Sequence, residues 1–177
     1  HTGFFAALLR ERGRHTTALE VDPRAAAHAS PHADRVVVGD VEDAAVRARV
    51  GGPFDRILFM HVLEHLVDPW GVLLAAHDLL APGGRVVVLL PNVACWRVRK
   101  ALFLHGAFEY EDTGILDRTH LRFFTLDSGR ALLEAAGYAV PAAIGVDLCV
   151  PLERRLSRLP LVRGLAPRWH RWMAARH

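Results

Sequence analysis

Residues 55–65 read DRILFMHVLEH, and the fold turns on where the strand in this stretch ends. The last five residues fit H-x-x-E-H, the spacing of an inverted zinc-peptidase motif, which sets two imidazoles on one helix face to hold zinc. The first six, DRILFM, are a short apolar run of strand length. A strand that runs through Met60 puts His61 at a strand end, and the two histidines then share no helix face.

The surrounding segments favour the strand. Upstream, FFAALLRERG (4–13) has helical spacing and a terminal Gly, TTALEV (16–21) reads as a strand, and Pro23 opens a short helix, RAAAHA (24–29). RVVVGD (35–40) is a second strand, and VEDAAVRARV (41–50) is a helix broken by Gly51-Gly52-Pro53. Downstream, PWGVLLAAHDLL (69–80) is a helix, Ala81-Pro82-Gly83-Gly84 a turn, and RVVVLLP (85–91) a fourth strand. The strands are continuous apolar runs, as expected of strands covered on both faces by helices. The spacing predicts an α/β fold: a doubly wound, mostly parallel sheet with helices on both faces and right-handed crossovers. Ligands of such sheets bind at the carboxyl ends of the strands, so functional residues should follow each strand.

After residue 91 the rhythm changes. Positions 92–125, which contain FEYEDTGILDRTHLRFF, are too long for a plain connection and are expected to form an acceptor-pocket insertion. LDSGRALLEAAG (126–137) is a helix capped by Asp127 or Thr125 and stopped by Gly137; YAVPAAIGVDL (138–148) is an edge strand interrupted by Pro141. A main domain is thus expected over 1–148 and a basic amphipathic tail over 149–177. From 151 onward the tail sets seven arginines against Glu153 and carries Trp169 and Trp172. Such a tail is a terminal helix packed on the domain or a peripheral membrane contact.

Composition bounds the classes. A chain of 177 residues, 51% apolar and 23% charged, suits one soluble domain with a sizeable core. No apolar run approaches the ~18 residues of a membrane span, and no secretory signal is evident. Cys95 and Cys149 are far apart and form no CxxC pair, which fits a reducing, cytoplasmic setting and argues against a Cys-based zinc site. Arginine supplies all the basic residues except Lys100, a compositional bias, so the net charge of +3 carries no expectation of nucleic acid.

The strand ends carry the chemistry. Glu20 closes the first strand, where a carboxylate can accept both ribose hydroxyls of a nucleoside, and Asp40 closes the second, where it can accept from an adenine amino group. HTGFFAALLRERG, ALEVDP, GDVEDAAV with PFDRILFMHVLEHLVDP, and LLAPGGRVVVLLPN together make the chain resemble the class I S-adenosylmethionine-dependent methyltransferases over residues 1–148. The resemblance implies S-adenosyl-L-methionine as cofactor and S-adenosyl-L-homocysteine as its product. It implies that Thr2 and Gly3 end a G-x-G-x-G turn beside the methionine part, and that Glu20 and Val21 lie at the ribose. Asp40 and Val41 would then contact adenine, and Met60 and His61 the sulfonium side. Pro82-Gly83-Gly84 matches the family's turn before its fifth strand. LDRTHLRFFT (116–125) resembles a segment found in a subset of these enzymes. In this register the family's first strand is expected to be missing from this chain, with His1 at the middle glycine's place. The family's last antiparallel strand has no clear counterpart after 151.

The resemblance implies methyl transfer to a small-molecule acceptor, a hydroxyl in the first instance, of saccharide, lipid or quinone type. A sulfonium is already reactive, so the protein must chiefly hold the nucleophile close and in line. An oxygen nucleophile must also lose a proton, and histidine suits that near neutral pH. His65 and His120 are the candidates; the alternative for His120 is a structural hydrogen bond. Arg118 and Arg122 either bind an anionic acceptor or form a solvated face, and Phe123 and Phe124 are core. Similar methyltransferases of ubiquinone synthesis carry E-x-x-E-H at this place and can hold a divalent cation there; here His61 replaces the first Glu. A common turn sequence without metal is the favoured reading. Two other functions stay open: a non-catalytic, degenerate domain that only binds a partner, and, remotely, a zinc peptidase with a further ligand such as Glu134.

Overall fold

The computed structural model describes residues 3–145. Thr2, Cys149 and the basic tail over 149–177 lie outside the described residues. The elements follow the order α1 (Phe4–Arg10), β1 (Thr17–Glu20), α2 (Pro23–Ala29), β2 (Arg35–Val38), α3 (Ala44–Val50), β3 (Phe54–Met60), α4 (Pro69–Ala76), β4 (Leu80–Leu89), α5 (Trp96–His105) and α6 (Leu126–Ala135). The backbone divides into two compact units: His1–Ile57 with Gly71–Val86, and Leu58–Trp70 with Val87–His177.

In the first unit β1 and β2 pair in parallel, with Thr17 opposite Arg35 and Glu20 opposite Val38. Two parallel neighbours joined by a helix form a β-α-β unit, which α2 completes. Asp22 caps α2, accepting from Arg24 N at 2.9 Å, and Pro23 occupies the first turn, where its missing N–H costs nothing. Ala25, Ala26 and Ala29 make the buried side of α2, and Val37 and Val46 close the core beneath. Helix α3 starts at Ala44 and not at Val41, because Asp43 accepts from Ala45 N at 2.8 Å and so acts as its N-cap.

Strands β3 and β4 form a second pair. His61 N–H donates to Leu89 O at 3.1 Å, and a Cβ on Gly84 would come within 2.9 Å of Phe54 O. Start therefore lies beside start and end beside end, so these strands also run parallel. The Pro82-Gly83-Gly84 turn is a bend within β4, which begins at Leu80; Gly83 takes φ +76°, a conformation that only glycine adopts without strain.

The second unit differs most from expectation. The insertion contains α5, which the scatter of basic residues in WRVRKALFLH hides from the periodic signal. Parallel bridges Asn92–Phe124 and Glu111–Asp117 tie the rest of the insertion together. Val98, Leu116, Phe124, Leu132 and Ala136 are buried. Thr125, not Asp127, caps α6: its Oγ1 accepts from Ser128 N at 3.1 Å while Ser128 Oγ accepts from Thr125 N at 2.8 Å, a reciprocal capping box. Gly137, at φ +85°, stops the helix as expected. Residues 138–145 form no strand, so the edge strand expected over 138–148 is not present in its described part. Among the described residues no helix is long and apolar enough to cross a membrane.

Candidate active site

In the first unit the expected cofactor residues gather at the carboxyl ends of β1 and β2. Glu20 is the last residue of β1, and Gly39 N–H donates to its carbonyl at 3.0 Å, which brings Asp40 to the neighbouring strand end. Glu20 Oε1 accepts from Asp22 N at 3.3 Å, and Asp40 Oδ1 from Glu42 N at 2.8 Å. Each carboxylate is held by the turn that follows its strand. Val21 is exposed, and Val41 O accepts from Arg47 Nη1 at 2.8 Å. Gly3 precedes α1 at φ +74°; a Cβ there would meet Ala29 Cα at 2.9 Å, so only glycine fits this close approach of backbone to backbone. The two carboxylates thus follow the ends of adjacent parallel strands.

In the second unit Met60 ends β3 and His61 follows at φ +55°, an uncommon conformation for a residue with a side chain. Leu63–His65 then form a single 3₁₀ turn. The two histidines of HVLEH therefore do not share an α-helical face, as the strand reading requires. Glu134, the distant candidate ligand, sits in α6 and pairs with Arg130 at 3.7 Å.

What the turn does is present Glu64 and His65 to the 115–122 segment. Glu64 O accepts from Leu121 N at 2.8 Å and from Arg122 N at 3.0 Å. Its side chain is wholly buried; Oε1 lies 3.1 Å from His61 Nδ1, and Oε2 has no hydrogen-bond partner among the described residues. His65 Nδ1 lies 3.2 Å from Thr119 O, and His120 Nδ1 lies 3.1 Å from Ile115 O. A carbonyl only accepts, so both Nδ1 atoms carry the proton and both Nε2 atoms keep a lone pair. The two rings stand edge to face, with centroids 4.8 Å apart. One ligand atom each from Glu64, His65 and His120 lie within 4.8 Å of one another. Sequence reasoning paired His65 with His120 as candidate bases and assigned no metal ligand. The expected reading of Glu64 was a common turn residue, without metal, at the place of E-x-x-E-H; its burial and its place beside His120 depend on the 115–122 segment.

Beside this cluster an open surface depression of about 520 Å³ is lined by Tyr110, Arg118, His120, Leu121 and Phe123. Phe108, Tyr110, Phe123 and His120 form a chain of edge-to-face and tilted ring contacts, so Phe123 belongs to the pocket wall while Phe124 is core. Arg118 pairs with Asp112 at 2.5 Å. Arg122 lies over the Trp70 ring, 5.7 Å from its centroid, and donates to Val67 O at 2.6 Å. Arg118 and its partner are largely solvated, as the solvated-face reading has it, whereas Arg122 is anchored by its two contacts. Thr119 N–H and Oγ1–H donate to Asp117 Oδ1 at 2.8 and 2.7 Å, and this pair of hydrogen bonds, side-chain first, holds the Asp117 carboxyl below the usual range.

A family model described as methyltransferase domain matches residues 1–143. The ubiquinone biosynthesis O-methyltransferase of Caulobacter sp. (strain K31) is 36% identical over 138 residues, 76% of this chain and 52% of that protein. The enzyme of the same name from Caulobacter vibrioides is 37% identical over 115 residues, 63% of this chain and 43% of that protein. The chain thus spans about half the length of the curated relatives it matches. Among solved structures, an S-adenosylmethionine-dependent methyltransferase of Thermotoga maritima aligns with a TM-score of 0.58 at 21% identity, over 78% of this chain and 60% of that one. A complex between the Haloferax volcanii Trm112 methyltransferase activator and a methyltransferase aligns at 0.54 and 19%, over 86% of this chain and 66% of that one. These structures have the Rossmann-like α/β fold of class I methyltransferases, and so does this chain. The chain belongs to the methyltransferase-domain family. Neither the family nor the one-turn geometry of Leu63–His65 leaves support for the peptidase reading.

Proposed function

We propose that the protein transfers the methyl group of S-adenosyl-L-methionine to the hydroxyl of a small molecule. Glu20 and Asp40 would hold the ribose and adenine, with Val21 and Val41 beside them, and Thr2, Gly3, Met60 and His61 would border the methionine part. The observation that carries the reading is His120: the residue is 8% exposed, its Nδ1–H is committed to Ile115 O, and it lines the open 520 Å³ depression. A ring fixed in that tautomer offers its free Nε2 lone pair to the proton that an acceptor hydroxyl must lose. His65, whose ring touches that of His120, is the second candidate. The relatives' name supports oxygen as the acceptor atom and a quinone precursor as one acceptor class. Aromatic walls at Tyr110 and Phe123 would stack on a ring of that kind.

Calorimetric titration with S-adenosyl-L-homocysteine, followed by transfer of an isotope-labelled methyl group to a panel of catechols and sugars, tests the proposal. Micromolar binding with label in the acceptor supports it. Binding without transfer to any acceptor favours the partner-binding alternative. A folded chain that binds neither cofactor nor product overturns the cofactor assignment.

A further inference from the structure

We propose that Glu64 is a positioning residue for the base: its buried carboxylate stabilises the imidazolium that His120 becomes when it takes the proton of an acceptor hydroxyl. The inference rests on the reading of His120 as that base. When a hydroxyl ionises against His120, its O–H bond breaks and the oxygen keeps the electron pair. The proton forms an N–H bond at Nε2, since Nδ1 already carries the proton donated to Ile115 O. A positive charge thus appears on a residue that is 8% exposed. Water reaches such a ring poorly, and a buried charge is costly unless an opposite charge lies close.

Three observations make Glu64 that opposite charge. First, one of its carboxylate oxygens lies within 4.8 Å of a ring nitrogen of His120, and an imidazolium shares its charge over both nitrogens. Second, the carboxylate is tied to the ring through the backbone: Glu64 O accepts from Leu121 N and Arg122 N, the two residues that follow His120. Third, Glu64 is 0% exposed and its Oε2 has no hydrogen-bond partner among the described residues, so neither water nor a donor screens it from the ring. Oε1 is engaged by His61 Nδ1 at 3.1 Å, which orients the carboxylate. Glu64 therefore acts across space and leaves the Nε2 lone pair of His120 to the acceptor. The other charges nearby serve this less well. Arg118 has the wrong sign, and Asp117 is partly exposed and already accepts two hydrogen bonds from Thr119. The acceptor anion stays clear of the carboxylate, because the depression is lined by His120 and not by the enclosed Glu64.

The test needs no methyl transfer. The full chain is mixed with 4-nitrocatechol in the presence of chelator and without cofactor, and the visible absorption of the nitrocatecholate reads how much of the bound molecule is ionised. The unsubstituted chain should raise that fraction above the value for the free molecule at the same pH, and His120→Gln should abolish the gain. Glu64→Gln should lower the ionisation equilibrium of the bound molecule by roughly 10-fold or more. It should leave unchanged the affinity for 1,2-dimethoxy-4-nitrobenzene, which cannot ionise; a merely structural role would weaken both. Far-ultraviolet circular dichroism checks folding. If Glu64→Gln unfolds the chain, Glu64→Met gives the same readout, and a chain that folds with neither overturns the proposal, because the carboxylate is then an anchor of the fold. A gain that depends on His120 but persists in the Glu64 variants overturns the proposal and leaves His120 as the base. No gain in the unsubstituted chain overturns both.

Discussion

Nδ1 of His61 lies 3.1 Å from Oε1 of Glu64, whose carboxyl group is completely enclosed. The other oxygen of Glu64 has no hydrogen-bond partner among the described residues. A buried polar atom left unpaired costs about 1–3 kcal/mol. The position is therefore unfavourable for stability, as is common where a site serves chemistry before stability. Glu64→Met, which fills the same space with apolar atoms, should stabilise the protein by about 1 kcal/mol, a rise of roughly 2–4 °C in Tm. Thermal melts monitored by circular dichroism check this. A lower Tm would mean that the carboxylate is a structural anchor.

Glu20 and Asp40 make the corresponding case for the cofactor. They stand at the ends of neighbouring parallel strands, joined by the Gly39 N–H to Glu20 O bond. Glu20 is half-buried as the last residue of β1, so truncation should leave the fold intact. Losing hydrogen bonds from a charged acceptor to a ligand costs about 1.5–3 kcal/mol. Glu20→Ala should therefore weaken binding of S-adenosyl-L-homocysteine by roughly 10–150-fold in calorimetry. An unchanged affinity would remove the ribose from this strand end.

These two clusters differ in how far the sequence disclosed them. The β1–β2 site was legible because parallel strands are apolar throughout and end abruptly in an acid, so Glu20 and Asp40 are marked by position alone. DRILFM could be placed as a strand for the same reason, and that placement removed His61 from any helix. The insertion was not legible as structure. Helix α5 carries Arg97, Arg99 and Lys100 among its apolar residues, which blurs the helical period, and residues 138–145 are mostly apolar yet pair with no strand among the described residues. Nor can a pattern reveal Glu64 meeting His120. That contact depends on two main-chain hydrogen bonds between Glu64 O and the 121–122 backbone, and such pairings leave no periodic trace.

Arg122 should matter for stability more than for binding. Its guanidinium donates to Val67 O at 2.6 Å and covers the Trp70 ring, which fastens the 120s segment to the chain just after the 3₁₀ turn. A charge-assisted hydrogen bond contributes about 1.5–3 kcal/mol and a cation–π contact at least about 0.5. Arg122→Ala is expected to lower the unfolding free energy by about 2–3 kcal/mol in urea titration, with little change in cofactor affinity. A loss of cofactor binding without loss of stability would show that the arginine serves the ligand instead.

Asp117 supplies the pH test. Its carboxyl receives the hydroxyl and backbone donors of Thr119, which hold its pKa below the ordinary value. A depressed carboxyl contributes stability that is complete above the unfolded-state pKa of about 3.9 and is lost as pH falls through the lower folded-state value. The contribution is thus constant at neutral pH and disappears only in acid, below about pH 4. Thr119→Val removes the hydroxyl, the larger of the two causes, and keeps the backbone N–H. The Asp117 side-chain carbon signal in NMR should then titrate at a higher pH than in the unsubstituted protein, while remaining below the ordinary value. The same variant should lose less stability between pH 6 and about pH 3, because its folded-state carboxyl lies closer to the unfolded one. An unshifted titration would mean that the backbone donor alone sets the pKa, and that the Thr119 hydroxyl serves the His65 ring, from whose Nδ1 it lies 3.2 Å away.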